Sequence, residues 1–208
     1  MPRLEPHQLS VYVVTSTDLV PGRGHREVAL AAIEGGATAI QLRAPELGDD
    51  GLLPLSQELA EACRRAGVLF VVNDRVPVAA EAEVGAHVGQ GDDPRVARGT
   101  LGAEAILGIS VGTPAEARAA EWAGADYLGV TVWATPTKAD AVPRGLDGLR
   151  AVVEATSLPV VGIGGIDAGN APEVLEAGAA GIAVVSAVGA AEDMVAATRA
   201  LEAIVGER

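Results

Sequence analysis

Eight short apolar runs, each ending on polar residues or glycine, constrain this chain more tightly than anything else in it. They are Val11–Thr15, Thr38–Leu42, Val68–Val72, Ala86–Val88, Ala105–Ile109, Tyr127–Val132, Pro159–Ile163 and Gly181–Val185. Runs of this length with β-branched residues read as buried strands. The segments between them carry helical spacing, as in His25–Glu34 and in Leu52, Leu55, Leu59 and Cys63 on a helix to Ala66. Thr113-Pro114-Ala115-Glu116 and Asp167–Glu173 supply helix-start signals. Eight strand–helix units in 208 residues leave about 26 residues each, enough for one small (β/α)8 barrel domain over residues 1–208 with short loops. An open doubly wound sheet is the alternative. The barrel is preferred because it alone gathers all eight polar strand ends around one mouth.

The core chemistry agrees. Apolar residues make up 49% of the chain and aromatic ones only 2%, so the interior must be built of Ala, Val, Leu and Ile. Such residues suit parallel strands covered by helices. The net charge of −13 argues against nucleic acid and anionic membranes as partners, since both attract a basic face. A phosphorylated small molecule remains compatible, provided local cations, amides or a metal hold it. The single Cys63 excludes an internal disulfide and, on its helix, reads as a core residue; a reducing, cytoplasmic compartment fits. No apolar run approaches the ~20 residues that span a bilayer, and Met1 to His7 lacks an apolar signal region.

The strand ends hold the candidate chemistry. Thr135, Thr137 and Lys138 follow the sixth run and offer two hydroxyls and an ammonium to a phosphate ester. Alone, that pattern describes a solvated surface loop better than a site. Asp74 and Asp92, from neighbouring strand ends, could share a hard divalent cation; singly, each reads more readily as a helix cap or turn residue. Gly162-Ile163-Gly164-Gly165-Ile166, with Asp167 opening a helix, and the loop at Val185-Ser186 match the places where barrels bind phosphate. A tight turn needing positive φ is the competing explanation for those glycines. Gln41, Arg43, Asn73 and Ser110 complete the strand-end set. His87 reads as a packed, hydrogen-bonded histidine, and Trp122 and Trp133 as packing residues, with Trp133 bordering the Thr135 loop.

Taken together, Val72-Asn73-Asp74-Arg75, His87-Val88-Gly89-Gln90 with Asp92, Gly108-Ile109-Ser110, Thr135-Pro136-Thr137-Lys138, Gly145-Leu146-Asp147-Gly148-Leu149 and Gly162–Ile166 resemble the thiamine phosphate synthase family, in order, from about Val11 to Ala200. The resemblance implies a Mg²⁺-dependent transferase. Such an enzyme joins an aminopyrimidine-methyl diphosphate to a thiazole phosphate, with pyrophosphate leaving from a dissociative transition state. By position it implies Asp74 and Asp92 as Mg²⁺ ligands, and Arg43, Asn73, Ser110 and Lys138 as pyrophosphate contacts. It implies Gln41 on the pyrimidine side, and Thr135, Thr137, Gly165, Val185 and Ser186 at the thiazole phosphate. A homodimer is compatible with a barrel this small.

Three positions depart from the family pattern. Pro45 stands where relatives carry a lysine, the 129–133 stretch is one residue short and lacks a proline, and Gly112 stands where a histidine is usual. Arg23 or Arg144 is expected to restore the charge lost at Pro45. Two rival readings stand beside the synthase: a thiazole tautomerase (a related barrel usually without the full set of metal and lysine residues) and a barrel that binds thiamine phosphates without turnover, for which Pro45 and the shortened stretch speak. Retention of Asp74, Asp92 and Lys138 and the glycine at 112 favour the synthase.

Overall fold

The structure, a computed structural model, describes residues 4–135 and 141–206. Eight parallel strands close a barrel in sequence order: β1 Val11–Val14, β2 Ala39–Leu42, β3 Leu69–Asn73, β4 Gly85–Val88, β5 Leu107–Ser110, β6 Tyr127–Thr131, β7 Val160–Ile163 and β8 Gly181–Val184, with β1 pairing β8. The helices that matter here are α1 His25–Glu34, α2 Asp49–Ala66, α3 Val76–Glu81, α4 Pro94–Leu101, α5 Pro114–Trp122, α6 Gly145–Val153, α7 Ala171–Glu176 and α8 Ser186–Gly189. The (β/α)8 expectation therefore holds. Among the described residues no helix is long and apolar enough to cross a membrane.

Most strands fall within a residue or two of the apolar runs. The fifth starts later, at Leu107, because the Ala105 carbonyl accepts from Arg98 Nη1 at 2.7 Å. Thr113 caps α5 as expected, accepting from the Glu116 amide at 3.2 Å. Asp167 does not open a helix. Its Oδ1 accepts from the Gly169 amide at 2.8 Å in a turn, and α7 begins only at Ala171.

Side chains alternate in and out along each strand, as period-2 geometry requires. Val11, Val13, Ile40, Leu42, Leu128 and Val130 point outward and pack beneath the helices with Leu52, Leu59 and Cys63. Tyr12, Val14, Ala39, Val71, Tyr127, Val161 and Ala183 fill the interior, with Leu4 and Leu9 in the same cluster. Both of the chain's tyrosines are thus inside the barrel. Small residues make room for them. Tyr12 lies in register with Ala39 and Ala183, and Tyr127 with Gly108, where any Cβ would overlap the Tyr127 ring. Their hydroxyls meet at 2.7 Å. Burial pushes both phenols well above their ordinary pKa; at Tyr12 the bonds to Tyr127 and Gln41 oppose that only in part, and at Tyr127 the charge of Tyr12 adds to it.

A half-buried arginine ties the chain where it enters β5 and β6. Arg98 donates to Gly102 O, Ala105 O and Gly124 O, and to Asp126 Oδ2 at 2.6 Å, which also accepts from the Leu107 amide at 2.8 Å. Its side chain is 15% exposed and that of Asp126 is 7% exposed, so removing one partner strands a buried charge.

Arg98→Met is expected to cost about 3–5 kcal/mol, whereas Arg26→Met, breaking an exposed pair with Glu58, should cost about 0–1 kcal/mol. Denaturant midpoints measure both, and equal shifts would contradict the burial argument. A second measurement is an alkaline absorbance titration. A raised phenol pKa favours the folded state fully below the unfolded value of about 10, and that preference is lost as pH climbs towards the folded value. Phenolate should therefore appear only together with loss of the circular dichroism signal. Two tyrosinates forming near pH 10 in an intact fold would contradict the burial of this pair.

Candidate active site

The strand ends converge as the barrel requires. Gln41, Arg43, Asn73, Ser110, Thr135, Gly165, Val185 and Ser186 line one cavity at the carboxyl-terminal mouth, together with Tyr12, His87 and Tyr127 on its floor. Asn73 and Ser110 are the last residues of β3 and β5, so rigid elements hold them. Thr137 and Lys138 lie outside the described residues.

The floor is one continuous hydrogen-bonded chain. Gln41 Nε2 donates to the Tyr12 hydroxyl at 2.7 Å, and the Tyr12 and Tyr127 hydroxyls meet at 2.7 Å. His87 bonds Tyr127 through Nδ1 at 2.9 Å and Ser110 Oγ through Nε2 at 2.9 Å. With Gln41 donating, the direction propagates. Tyr12 gives its hydrogen to Tyr127, Tyr127 gives its own to Nδ1 of His87, and His87 carries its proton on Nε2 and donates to Ser110. The Ser110 hydroxyl hydrogen then remains for the cavity, and Gln41 Oε1 remains as an acceptor. The packed-histidine reading of His87 is right about its hydrogen bonds and misses its place on the cavity wall. Gly108 and Gly129 flank this chain; a Cβ on Gly129 would lie 3.2 Å from His87 Cε1.

A second polar set fixes the neighbouring strand ends. Thr15 Oγ1 accepts from the Arg43 amide at 3.2 Å and meets His25 Nδ1 at 2.8 Å. His25 Nε2 bonds Glu46 Oε1 at 2.7 Å. Because a carboxylate only accepts, Nε2 carries the proton of a neutral His25, and Thr15 donates to Nδ1. His25 is 5% exposed, and no local pattern in the sequence separates it from a solvated helix residue.

The two carboxylates sit at the rim and are exposed, on loops after adjacent strands. Asp74 has φ of 60°, and Asn73 Nδ2 donates to its Oδ2 at 2.7 Å. A left-handed aspartate costs backbone energy, the kind of strain that gathers at functional sites. It does not cap α3, whose N-cap is Arg75. In the next loop Asp93 caps α4 through the Arg95 amide, while Asp92 Oδ2 accepts from the Gly89 amide at 3.0 Å. Carboxylates on two adjacent loops are the kind of hard oxygen donor that an octahedral divalent ion takes, with water and phosphate oxygens completing its shell. Among the described residues no group of three or more His, Cys, Asp and Glu could hold a metal by itself.

On the opposite side, Gly164 and Gly165 adopt φ of 95° and 63°. A Cβ on Gly164 would come within 2.5 Å of the Trp133 carbonyl, so this glycine serves loop packing as well as the mouth. Trp133 is partly buried against the outer core. Trp122 corrects the packing assignment: it is 78% exposed, with the Arg95 guanidinium 4.7 Å above its ring, because α5 turns that face to solvent. Cys63 is buried away from the mouth, and burial pushes its thiol up to about 12, which agrees with a core role.

Comparison with known proteins covers nearly the whole chain. A family model described as thiamine monophosphate synthase matches residues 11–188. A thiamine-phosphate synthase of Moorella thermoacetica is 50% identical over 202 residues, 95% of this chain and 96% of that protein. One from Methanocella arvoryzae is 50% identical over 204 residues, 96% of each. The solved thiamine phosphate pyrophosphorylase of Pyrococcus furiosus superposes with a TM-score of 0.89 at 42% identity, covering 97% of this chain and 98% of that one. This chain belongs to the thiamine monophosphate synthase family.

Proposed function

We propose that this chain transfers an aminopyrimidine-methyl group from its diphosphate to the ring nitrogen of a thiazole phosphate, giving thiamine phosphate and pyrophosphate. The observation that carries the reading is the two-sided mouth. Arg43, Asn73 and Ser110 line the cavity on the β2–β5 side, with exposed Asp74 and Asp92 outside its lining on the loops after β3 and β4, and Thr135, Gly165, Val185 and Ser186 line it on the β6–β8 side, over a floor of hydrogen-bonded rings. Two phosphorylated substrates need two such regions.

Each region has a role in the displacement. Arg43, Asn73, Ser110 and Lys138 hold the diphosphate, and the Ser110 hydroxyl donates to the oxygen that gains charge as the C–O bond breaks. A Mg²⁺ ion on Asp74 and Asp92 supplies charge neutralisation for the leaving group when bound. Gln41 orients the pyrimidine through its free acceptor. Thr135, Thr137, Gly165, Val185 and Ser186 hold the thiazole phosphate so that the ring nitrogen faces the methylene. The bonding pair leaves with pyrophosphate, and the thiazole nitrogen lone pair forms the new C–N bond. Val161, Ile163 and Ala183 line the cavity and keep water from the electron-poor carbon. No side-chain nucleophile is needed, and the buried Cys63 offers none. A lone buried cysteine and the phosphorylated substrates fit a cytoplasmic enzyme.

Purified protein given both substrates and Mg²⁺ should form thiamine phosphate and pyrophosphate in equal amounts, and a chelator should stop it reversibly. Asp74→Ala should abolish the Mg²⁺ response, and Ser110→Ala should lower kcat by about a hundred- to a thousand-fold, the size of a lost transition-state donor. Tight, Mg²⁺-dependent binding of both ligands without product would contradict the synthase reading and favour a binding barrel.

A further inference from the structure

Arg23 and Arg144, the two arginines expected to make up for the charge absent at Pro45, differ sharply in their surroundings. Arg23 is committed to the fold. Its Nη1 donates to Gly189 O and to Ala191 O, both at 2.8 Å, and its Nε lies 3.8 Å from Glu27, so it clamps the end of α8. No side-chain hydrogen bond or ion pair of Arg144 is found among the described residues. Its Nε is buried and has no hydrogen-bond partner among the described residues. The backbone beneath it is firmly placed: its amide donates to Thr131 O at 2.9 Å, and the Gly145 amide donates to Val132 O at 2.9 Å.

We propose that Arg144 is the further diphosphate-binding cation of this enzyme, and that position 112 is glycine to make room for it. The guanidinium lies across Gly112. A Cβ there would come within 2.5 Å of Nη2 and 2.7 Å of Cζ. Gly112 does not have a positive φ, so what its missing side chain provides is room for the guanidinium in this position. The guanidinium borders a second cavity, lined also by Gly89, Gln90, Ser110, Gly112 and Thr131, which shares Ser110 and Thr131 with the main one. Ser110, the end of the donor chain, therefore stands between the two. Glu116, in the first turn of α5, accepts through Oε2 from the Gly112 amide at 2.6 Å and from Gln90 Nε2 at 2.9 Å. The Gly89 amide that opens the loop is held by Asp92, one of the two rim carboxylates.

The Nε of this half-buried side chain is shut away from water with no partner among the described residues. A buried donor nitrogen without a partner is expensive, and a partner anion removes that cost. An anion reaching Ser110 from the rim carboxylates meets this guanidinium next, and guanidinium suits phosphate oxygens. The inference rests on the synthase reading, because it assigns a residue to that reaction's leaving group.

Calorimetric titration of inorganic pyrophosphate, with and without Mg²⁺, tests it alongside steady-state kinetics. Arg144→Gln and Gly112→Ala should each weaken pyrophosphate binding and raise KM for the diphosphate substrate by about tenfold or more, the loss expected of a charged hydrogen bond. Gly112→Ala does so by displacing the side chain while leaving its charge in the protein. KM for the thiazole phosphate and the melting temperature should stay unchanged, and Arg144→Lys should recover part of the affinity. Pyrophosphate affinity unaltered by Arg144→Gln would overturn the proposal, as would equal losses for both substrates, which mark a structural role. Wild-type protein that binds no pyrophosphate and forms no product would sink the synthase reading itself, a different outcome.

Discussion

The bond between the Tyr12 and Tyr127 hydroxyls, at 2.7 Å inside the barrel, is the interaction on which the site depends. Two phenols buried among Val14, Val71, Val161 and Ala183 would be costly if left unpaired. A hydroxyl pair settles one donor and leaves the next needing an acceptor, so the chain must run on to a polar group at each end. Gln41 closes it on β2, and His87 and Ser110 close it on β4 and β5. The barrel's packing problem and the placement of its reactive mouth have the same solution. The small residues around the rings, Ala39, Gly108 and Ala183, are the other half of that solution.

Charge is handled locally in a strongly acidic protein. With a net charge of −13 the molecule as a whole repels anions, yet its two adjoining cavities bring together Arg43, Arg144, Asn73 and Ser110. Short-range, partly desolvated charges outweigh a screened surface field at these distances. In the proposed reaction Arg144 stands in for the charge that Pro45 cannot supply. A cation lost from one loop can be supplied from another when eight loops share one mouth, as the vacancy at Gly112 lets α6's preceding residue do.

Much of this was legible in the sequence, for identifiable reasons. The strands were, because β-branched runs bounded by polar residues have few other fates, and so were Gln41, Arg43, Asn73 and Ser110, because they end those runs. The floor was not. Tyr12, His87 and Tyr127 sit inside strands, where a polar-tipped residue looks like packing. The signal that could have found them is parity: Tyr12 and Val14, Ala39 and Gln41, and Gly108 and Ser110 share the inward face. His25 was beyond reach, because its partners Thr15 and Glu46 meet it only through the fold. Asp167 and Trp122 misled because local signals, an N-cap residue and a large ring, were overruled by a turn and by the orientation of a helix. Gly112 read as a missing group until the Arg144 guanidinium was seen lying across it.

Hydrogen bonds on the barrel floor run in one direction, from Gln41 to Ser110, so that Ser110 donates into the mouth. Nitrogen-15 resonance of the histidine side chains tests this most directly, with His87 assigned by comparison with His87→Gln. The account predicts a neutral ring protonated on Nε2, with Nδ1 as a hydrogen-bond acceptor, and loss of that Nδ1 signature in Tyr127→Phe. A ring protonated on Nδ1 would mean that the chain runs the other way, with Ser110 donating to His87 and none of its hydroxyl left for a leaving group.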